Sequence, residues 1–507
     1  MSLLWCRKNG GPRVSADTMA YIASFDIGSS AIKAVLLDQQ GVMHHACSQD
    51  YAASKDAPGE QAPHLWWDSF CAVLRQWWSL GVEPSSLKAL TFSGQMQDLI
   101  ALDANGEVVR PAVLYMDARA GEQAAAVLAT LGSAQVAQTT RNPFNGASVL
   151  AKILHLRDHE PDHFQRTKQV LVGAKDFIIF RLTGKAVTDP TTAATTGMYN
   201  FDAGCWTSEW MTVLGLHHLS LPSLHPAGDC VGGVSDRAAE FTGLDVGLSV
   251  FCGLGDAGAT TLGAGVTDST QSYAYLGTSG WVATLAQAFH TGQTPLFLLP
   301  CPQAGWHIRI GPISNAGSVH RWALQLTGED DETRGYAAME HLVASTVTDA
   351  NVLFLPYLSA ERLPVSTEQP QGGFSGLSLQ TTRAQMLRSV LEGVALSLLW
   401  AFEEVQAQPM QSLQVVGGAT RSAAWMQILA DVWNKPVVAH RDSTYLPCVG
   451  AAATAAVGLG WAPSNAHFLQ SLTRTDTQTW YPDPVCVPIM KAKSVALRQW
   501  QQLVSGG

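Results

Sequence analysis

Residues 252–265 read CGLGDAGATTLGAG, a single carboxylate, Asp256, among five glycines. An acid held among glycines is either a turn residue or a reagent, and the glycines themselves first invite a dinucleotide-binding account. Gly253, Gly255 and Gly258 match Gly-x-Gly-x-x-Gly after the apolar run LSVF, the fingerprint of a dinucleotide-binding fold. That fold also needs an acid about 20 residues beyond the glycines to hold a ribose. The next acid after Asp256 is Asp268, too near, and none follows until Glu329. A nicotinamide dehydrogenase is therefore the poorer alternative. The other account treats Asp256 as a reagent, because glycines let backbone approach a ligand closely and adopt dihedrals that other residues avoid.

Moving outward, the flanks alternate strands and helices. YIASFDIGSSAIKAVLLDQQGVMHHA, from Tyr21, predicts strand, glycine turn, strand, turn, strand. LKALTFSGQMQDLIALD continues in strands, and HLWWDSFCAVLRQWWSLG between them has helical apolar spacing ending at Gly81, with Trp66, Trp67, Trp77 and Trp78 as core. Residues 120–250 alternate helical stretches and short turns without resolving into defined elements. SYAYLGTSGWVATLA is again strand, glycine turn, strand, so SFDIGSSAIKAVLL and AYLGTSGWVATLA suggest two related lobes, each offering a hydroxyl-tipped hairpin. In the last third, Leu387, Leu391, Val394, Leu398, Phe402 and Val405 form a helical stripe. LQVVGGATRSAAWMQILADVWNKPVV predicts strand, turn, helix with Ser422 as N-cap, then a strand after Pro436, and LPCVGAAATAAVGLGW a small-residue helix. The class is α/β.

Bulk composition bounds the partners. A chain of 507 residues exceeds what one hydrophobic core usually serves. Hydrophobic residues make up 47% and charged residues 14%, as in a well-packed globular protein. The net charge of −10, from 31 basic and 41 acidic residues, is spread without long single-sign runs. Nucleic acid and anionic membrane are thus disfavoured, and a small-molecule substrate fits better. No apolar run reaches the roughly 18 residues of a membrane span. The segment MSLLWCRKNGGPRVSADTMA, residues 1–20, lacks the apolar core of a signal peptide and is expected to be a disordered leader or added remnant, with Met19 an alternative start. Nine cysteines without Cys-x-x-Cys argue against a disulfide framework or zinc site and for the cytoplasm.

No Gly-x-x-x-x-Gly-Lys-Ser/Thr occurs, so a nucleotide must be held another way. DIGSSAIK puts Asp26 beside Gly28, Ser29 and Ser30, with Lys33 on the returning strand. Successive N–H groups at such a turn make an anion-binding concavity. Asp26 beside phosphate makes sense as a partner for Mg²⁺. The bland alternative is an ordinary β-turn. VVGGATRSAAW sets Gly417 and Gly418 between a strand and a helix N-terminus, which favours an anion or a flat ligand, or is a plain connecting turn.

DIGSSAIK, SGQMQDLIALDANGEVVRPAVLYMDAR, GLGDAGATTLGAG, YLGTSG, FLPYLSAERLP, GGFSGLSLQTTRAQMLRSVLEGVA and VVGGATRSAAWMQILADVWNKPV occur in one order from about Tyr21 to Gly460. In this the chain resembles the FGGY carbohydrate kinase family, above all its xylulose kinase branch. The resemblance implies two ribonuclease-H-like lobes of the actin, sugar kinase and chaperone ATPase type, with a cleft between them. It implies an N-terminal lobe, 21–262, binding sugar and carrying the first phosphate hairpin, and a nucleotide-binding C-terminal lobe, 263–507. Asp256 is then the catalytic base, touching the substrate and, with Asp26, the metal. Gly28, Ser29, Ser30 and Lys33 form one phosphate site, Gly277, Thr278 and Ser279 the second, and Gly417, Gly418, Ala419, Arg421 and Ser422 the adenosine site. Gln95, Met96, Gln97, Asp117 and Arg119 meet the sugar.

The implied reaction is ATP- and Mg²⁺-dependent phosphorylation of a ketopentose, D-xylulose to D-xylulose 5-phosphate. Another pentulose, hexulose or polyol is an alternative, and a nucleotide-gated binding protein without transfer a more distant one. A homodimer is a further expectation from the family. Three positions depart from the branch: Gln97 stands for its His, Tyr115 for its Trp, and His155 for an aromatic residue. His155 is expected to be a packing variant on a helix.

Overall fold

The computed structural model describes residues 19–51, 59–287, 296–329, 331–361, 363–365, 367, 369–405, 410–440, 443–472 and 477–505. The expected leader falls, but for Met19 and Ala20, outside the described residues. The first sheet contains the hairpin of Tyr21–Ile27 and Ala31–Leu37, whose register sets Asp26 opposite Lys33 and Ile27 opposite Ile32 and leaves Gly28, Ser29 and Ser30 as its tip. Tyr21–Ile27 also runs parallel to Leu87–Gly94, with Asp26 opposite Ser93. Edge to edge the order is Cys230–Gly233, Ser249–Phe251, Leu87–Gly94, Tyr21–Ile27, Ala31–Leu37, Met43–Asp50, and Leu254–Gly255 pairs with the far end of Leu87–Gly94. Its inner strands are buried on both faces, which is why they read as near-continuous apolar runs.

Helix His64–Ser79 covers this sheet with Trp66, Trp67, Phe70 and Trp77, and Phe25 lies 4.8 Å from Phe70 and 5.3 Å from Trp77. Trp78 packs at the margin of this core, half-buried, and donates its indole N–H to the Thr242 carbonyl at 2.9 Å. The segment that the sequence left unresolved forms short elements, including Gly121–Leu131, Val149–His159, Ala174–Thr183 and the five-residue Pro190–Ala194. Several pack on a small sheet ordered Glu60–Gln61, Ala112–Val113, Met96–Leu102, Gln169–Gly173.

The second large sheet runs Phe297–Pro300, His307–Ile313, Gly280–Ala286, Ser272–Leu276, Leu413–Val416, Val437–His440, Thr477–Trp480. It repeats the plan of the first. An antiparallel hairpin, Ser272–Leu276 with Gly280–Ala286, is joined on one side by an antiparallel strand and on the other by a parallel strand. Helix Arg383–Val405 lies against it, with the expected stripe buried except for the half-buried Phe402, which packs on Trp433 at 4.8 Å. Ser422 caps helix Ala423–Trp433 by accepting from Trp425 N at 3.1 Å. No helix among the described residues is long and apolar enough to cross a membrane.

The two halves are joined by helix Leu446–Gly458, which belongs to the C-terminal half of the sequence yet lies on the first sheet. Ser24 Oγ donates to the Cys448 carbonyl at 2.7 Å, and Thr91 Oγ1 to the Ala451 carbonyl at 3.4 Å. The same helix crosses helix Asp256–Gly263 at backbone contact. A Cβ on Gly450 would overlap the Ala259 carbonyl, and one on Gly263 the Leu446 carbonyl. Glycine in a helix costs up to about 1 kcal/mol, so these two positions trade helix propensity for close approach. Gly450→Ala should therefore cost on the order of 1–3 kcal/mol, because the clashing atom is backbone and cannot swing away. Calorimetry is expected to show a lower melting temperature, and an unchanged one would mean that the two helices can part freely.

Candidate active site

Asp256 stands where the first sheet ends and helix Asp256–Gly263 begins. The glycines before it are needed for passage, not for flexibility. Gly253 has φ +63°, and a Cβ there would collide with the Phe92 carbonyl; a Cβ on Gly255 would collide with the Met96 thioether. Asp256 Oδ1 accepts from the Ala257 N–H at 2.7 Å. The helix is moored to the second lobe by Tyr273, whose buried hydroxyl donates to the Ala257 carbonyl at 3.4 Å and accepts from Trp281 Nε1 at 2.9 Å. The Asp256 carboxyl keeps a narrow opening to solvent but is surrounded by protein. That burial, with the neighbouring Asp26 carboxylate, pushes its pKa up to about 7.

Asp26 lies within the first hairpin, buried, with Oδ1 accepting from Ser93 Oγ at 3.0 Å and Oδ2 3.9 Å from Lys33 Nζ. Burial raises its pKa too, against the opposing pull of Lys33 and Ser93. Gly28 and Ser29 are half-buried and Ser30 exposed, so the tip is open. The second tip is open likewise: Thr278 and Ser279 are exposed, while the Gly277 and Thr278 carbonyls accept from Gly317 N and Ser318 N at 3.0 and 2.8 Å.

Gly277, Thr278, Gly418, Ala419, Arg421 and Ser422 line one cavity of about 740 Å³, within the size range of small-molecule sites. Gly417 does not line it; with φ +99° it passes beside the Leu276 carbonyl, where a side chain would not fit. The sequence did not signal the aromatic part of the wall. His320 lies 5.0 Å from Tyr336 and 4.8 Å from Trp425, edge to face, and burial lowers its pKa to about 4, so it is neutral. Glu340 accepts from Ser422 Oγ at 2.5 Å and from Ala424 N at 2.8 Å.

The third group follows strand Leu87–Gly94. Gln95 is 2% exposed, and both its amide atoms lack a partner among the described residues, as expected where a polar ligand is meant to supply one. Met96 lies against Gly255. Gln97 has φ +65°, a left-handed conformation uncommon for a side chain of its kind, and its carbonyl accepts from Lys152 Nζ at 3.0 Å. Asp117 and Arg119 are bound to each other: Arg119 Nη2 donates to Asp117 Oδ2 at 2.6 Å and Nη1 to Glu60 Oε1 at 2.6 Å. Burial opposes ionisation of Asp117, but the Arg119 hydrogen bonds outweigh it and its pKa is lowered.

Sequence reasoning missed Asp98, Lys152 and Glu60. Asp98 is fully buried, its Oδ1 accepting from Tyr115 N at 3.0 Å and its Oδ2 without a partner among the described residues. Burial drives its pKa well above the usual range and lowers that of Lys152 to about 8. Asp98 directly follows Gln97 and was open to notice; nothing in the sequence joins it to Lys152. Tyr115 is exposed. His155 sits on helix Val149–His159, stacked on His159 at 4.1 Å, as a packing residue.

Twin lobes of one strand plan, each with an open hairpin tip, define the actin-like, ribonuclease-H-like fold of the sugar kinases. The chain belongs to the FGGY family of carbohydrate kinases: residues 21–263 match that family's N-terminal domain and residues 272–459 its C-terminal domain. It is thus a phosphotransferase. Over 459 residues it is 31% identical to a xylulose kinase from Escherichia coli strain K12, covering 88% of this chain and 92% of that one. A solved xylulose kinase from Rhodospirillum rubrum matches at 26% identity with TM-score 0.84, covering 96% and 99% of the two chains. A solved gluconate kinase from Lactobacillus acidophilus matches at 24% with TM-score 0.86, covering 96% and 98%. Kinases named for different sugars share this backbone, so the fold alone does not select the sugar.

The raised Asp256 pKa has a stability counterpart. An acid whose folded pKa exceeds its unfolded value contributes stability that is fully present below the unfolded pKa, near 4, and lost as pH rises through about 7. Asp256→Asn should therefore melt several degrees above wild type at pH 8, with the difference vanishing toward pH 4. Identical melting curves at pH 8 would refute the assigned environment.

Proposed function

We propose that this protein transfers the γ-phosphate of ATP to a hydroxyl of a ketopentose, converting D-xylulose to D-xylulose 5-phosphate in the cytoplasm. The observation that carries the proposal is Asp256, a carboxylate with a pKa of about 7 beside Asp26 at the base of the first hairpin; a buried, unpartnered Gln95 and a nucleotide-sized cavity in the second lobe accompany it. Phosphoryl transfer asks a protein mainly for positioning, charge neutralisation and a base for the attacking hydroxyl. Asp256 takes the hydroxyl proton as the sugar oxygen bonds to the γ-phosphorus; the bond from that phosphorus to the β,γ-bridging oxygen breaks, and ADP departs. A base with a pKa near the working pH suits this role.

In this proposal residues 21–262 hold the sugar and residues 263–507 the nucleotide. Gly28, Ser29, Ser30 and Lys33 face the transferred phosphate from one side and Gly277, Thr278 and Ser279 from the other. Gly418, Ala419, Arg421 and Ser422 bound the adenosine, with His320, Tyr336 and Trp425 as its apolar wall and Gly417 as the tight turn that leads into it. Asp26 and Asp256 offer the hard oxygen donors that Mg²⁺ prefers, and the described residues hold no cluster of three or more candidate ligands. Such a pair fits a Mg²⁺ ion that completes its shell with substrate phosphates and water. When bound, the ion supplies charge neutralisation at the phosphates. Gln95, Met96, Gln97, Asp117 and Arg119 form the sugar wall. Gln97 donates and accepts hydrogen bonds without the pH response of an imidazole. The xylulose kinase relatives support a ketopentose.

Coupled ADP release with ATP and Mg²⁺ across pentuloses, hexuloses and polyols tests the substrate. Preference for D-xylulose is expected. Preference for another sugar would move the assignment to that sugar and implicate Gln97 and Tyr115, and silence across the panel would overturn transfer. Asp256→Ala should remain folded and bind nucleotide yet lose at least about a thousandfold in turnover, within the range general-base removal gives. Wild-type kcat/KM should fall as pH drops below about 7, where the Asp256 carboxylate becomes protonated.

A further inference from the structure

The site is assembled from segments far apart in sequence, and one short strand touches both of its halves. Glu60–Gln61 pairs antiparallel with Ala112–Val113, Glu60 opposite Val113 and Gln61 opposite Ala112, and Leu114 N donates to the Gly59 carbonyl at 2.8 Å. This pairing brings three consecutive residues to three different tasks. Gly59 has φ +82°, and a Cβ there would stand 2.5 Å from Asp117 Oδ2, so its bare backbone is the surface on which the Asp117 carboxylate rests. Glu60 Oε1 accepts from Arg119 Nη1 at 2.6 Å and also pairs with Arg110, whose guanidinium reaches Glu160 on its other side. Gln61 points the opposite way, as alternate residues of a strand do. Its Nε2 donates to the Ser29 carbonyl at 3.1 Å and its Oε1 accepts from Trp66 Nε1 at 2.7 Å.

Ser29 is at the tip of the first phosphate hairpin, and Asp117 and Arg119 belong to the sugar wall. One strand therefore spans the distance between the two reactants' binding groups, its two side chains committed one to each. Glu60 stands between two guanidinium groups that would otherwise repel, and its side chain is only 11% exposed, so its charge is poorly screened. Resting on the kinase function proposed above, we propose that Glu60 and Gln61 are positioning residues that hold the sugar wall in register with the phosphate hairpin. Glu60 acts through Arg119 and Asp117, Gln61 through the Ser29 carbonyl.

A purely structural strand would loosen both sites together when weakened, whereas this arrangement separates them by residue. The test is steady-state kinetics of the full chain with D-xylulose and ATP varied independently. Turnover of a ketopentose by wild type comes first; its absence would overturn the kinase function itself, whatever the variants do. With an active wild type, Glu60→Gln is expected to raise the sugar KM about tenfold while the ATP KM stays within about twofold, the size of effect that loss of one charged hydrogen bond gives. Gln61→Met is expected to do the reverse, lowering kcat or raising the ATP KM severalfold with the sugar KM unmoved. Glu60→Asp keeps the charge but shortens the reach; it should raise the sugar KM about threefold and serves if Glu60→Gln does not fold. A sugar KM within about twofold of wild type in the folded Glu60 variants, or parallel shifts of both KM values in the Glu60 and Gln61 variants, would overturn the proposal.

Discussion

Between residues 253 and 263 the backbone passes so close to its neighbours that Gly253, Gly255, Gly258 and Gly263 leave no room for a Cβ, and the placement of Asp256 depends on that constraint. Gly253 and Gly255 let the chain leave the first sheet beside Phe92 and Met96; Gly263 and Gly450 let the next helix cross the small-residue helix Leu446–Gly458 at backbone contact. Interiors of this kind are packed as densely as organic crystals, so the crossing is fixed to fractions of an ångström. Asp256, at the start of this segment, inherits that precision. The price is a carboxylate held where its charge is poorly solvated, which raises its affinity for a proton into the range a base needs.

Buried charge recurs around the cleft, and each instance is answered differently. Lys175 is fully buried but ion-paired with Asp176 at 2.8 Å and Asp189 at 3.1 Å, and Asp189 also caps the short helix Pro190–Ala194 by accepting from Thr191 N and Thr192 N. This network anchors a helix whose Thr191 methyl comes close to Gly258, so structural ion pairs support the Asp256 helix from behind. Asp98 and Lys152 tie the segment after strand Leu87–Gly94 to the Leu114–Tyr115 turn through the Gln97 and Leu114 carbonyls and the Tyr115 N–H. The left-handed Gln97 persists because these bonds surround it, as strained residues at functional sites do. Gln95, by contrast, is left with both amide atoms unanswered among the described residues.

How much of this was legible beforehand depended on the range of the interaction. The two hairpins, the capped helix after Ser422 and the buried helix from Arg383 follow from local periodicity, turn chemistry and caps, and they stand as expected. Residues 120–250 resisted because their elements are short and are divided between the first large sheet and a four-stranded side sheet assembled from four separate segments. Asp117 and Arg119 were expected as sugar-facing groups, and the structure binds them to each other. Glu60, 57 residues before Asp117, had no local signal to link them. The aromatic wall of His320, Tyr336 and Trp425 was hidden for the same reason, since each looks like an ordinary helix residue in its own segment.

The sequence by itself determined the elements, their alternation, and an acid among glycines with no ribose-binding partner downstream. These are properties of neighbours along the chain, where dihedral preference and side-chain spacing act directly. It also carried enough ordered motifs for the family. Only the tertiary structure decided that the small-residue helix of the C-terminal half lies on the first sheet, that Arg119 is committed to Asp117 and Glu60, and that the Asp256 pKa lies near 7. Each of these depends on which surfaces exclude water together and on the field of charges brought close by folding, and neither quantity exists until distant segments have met.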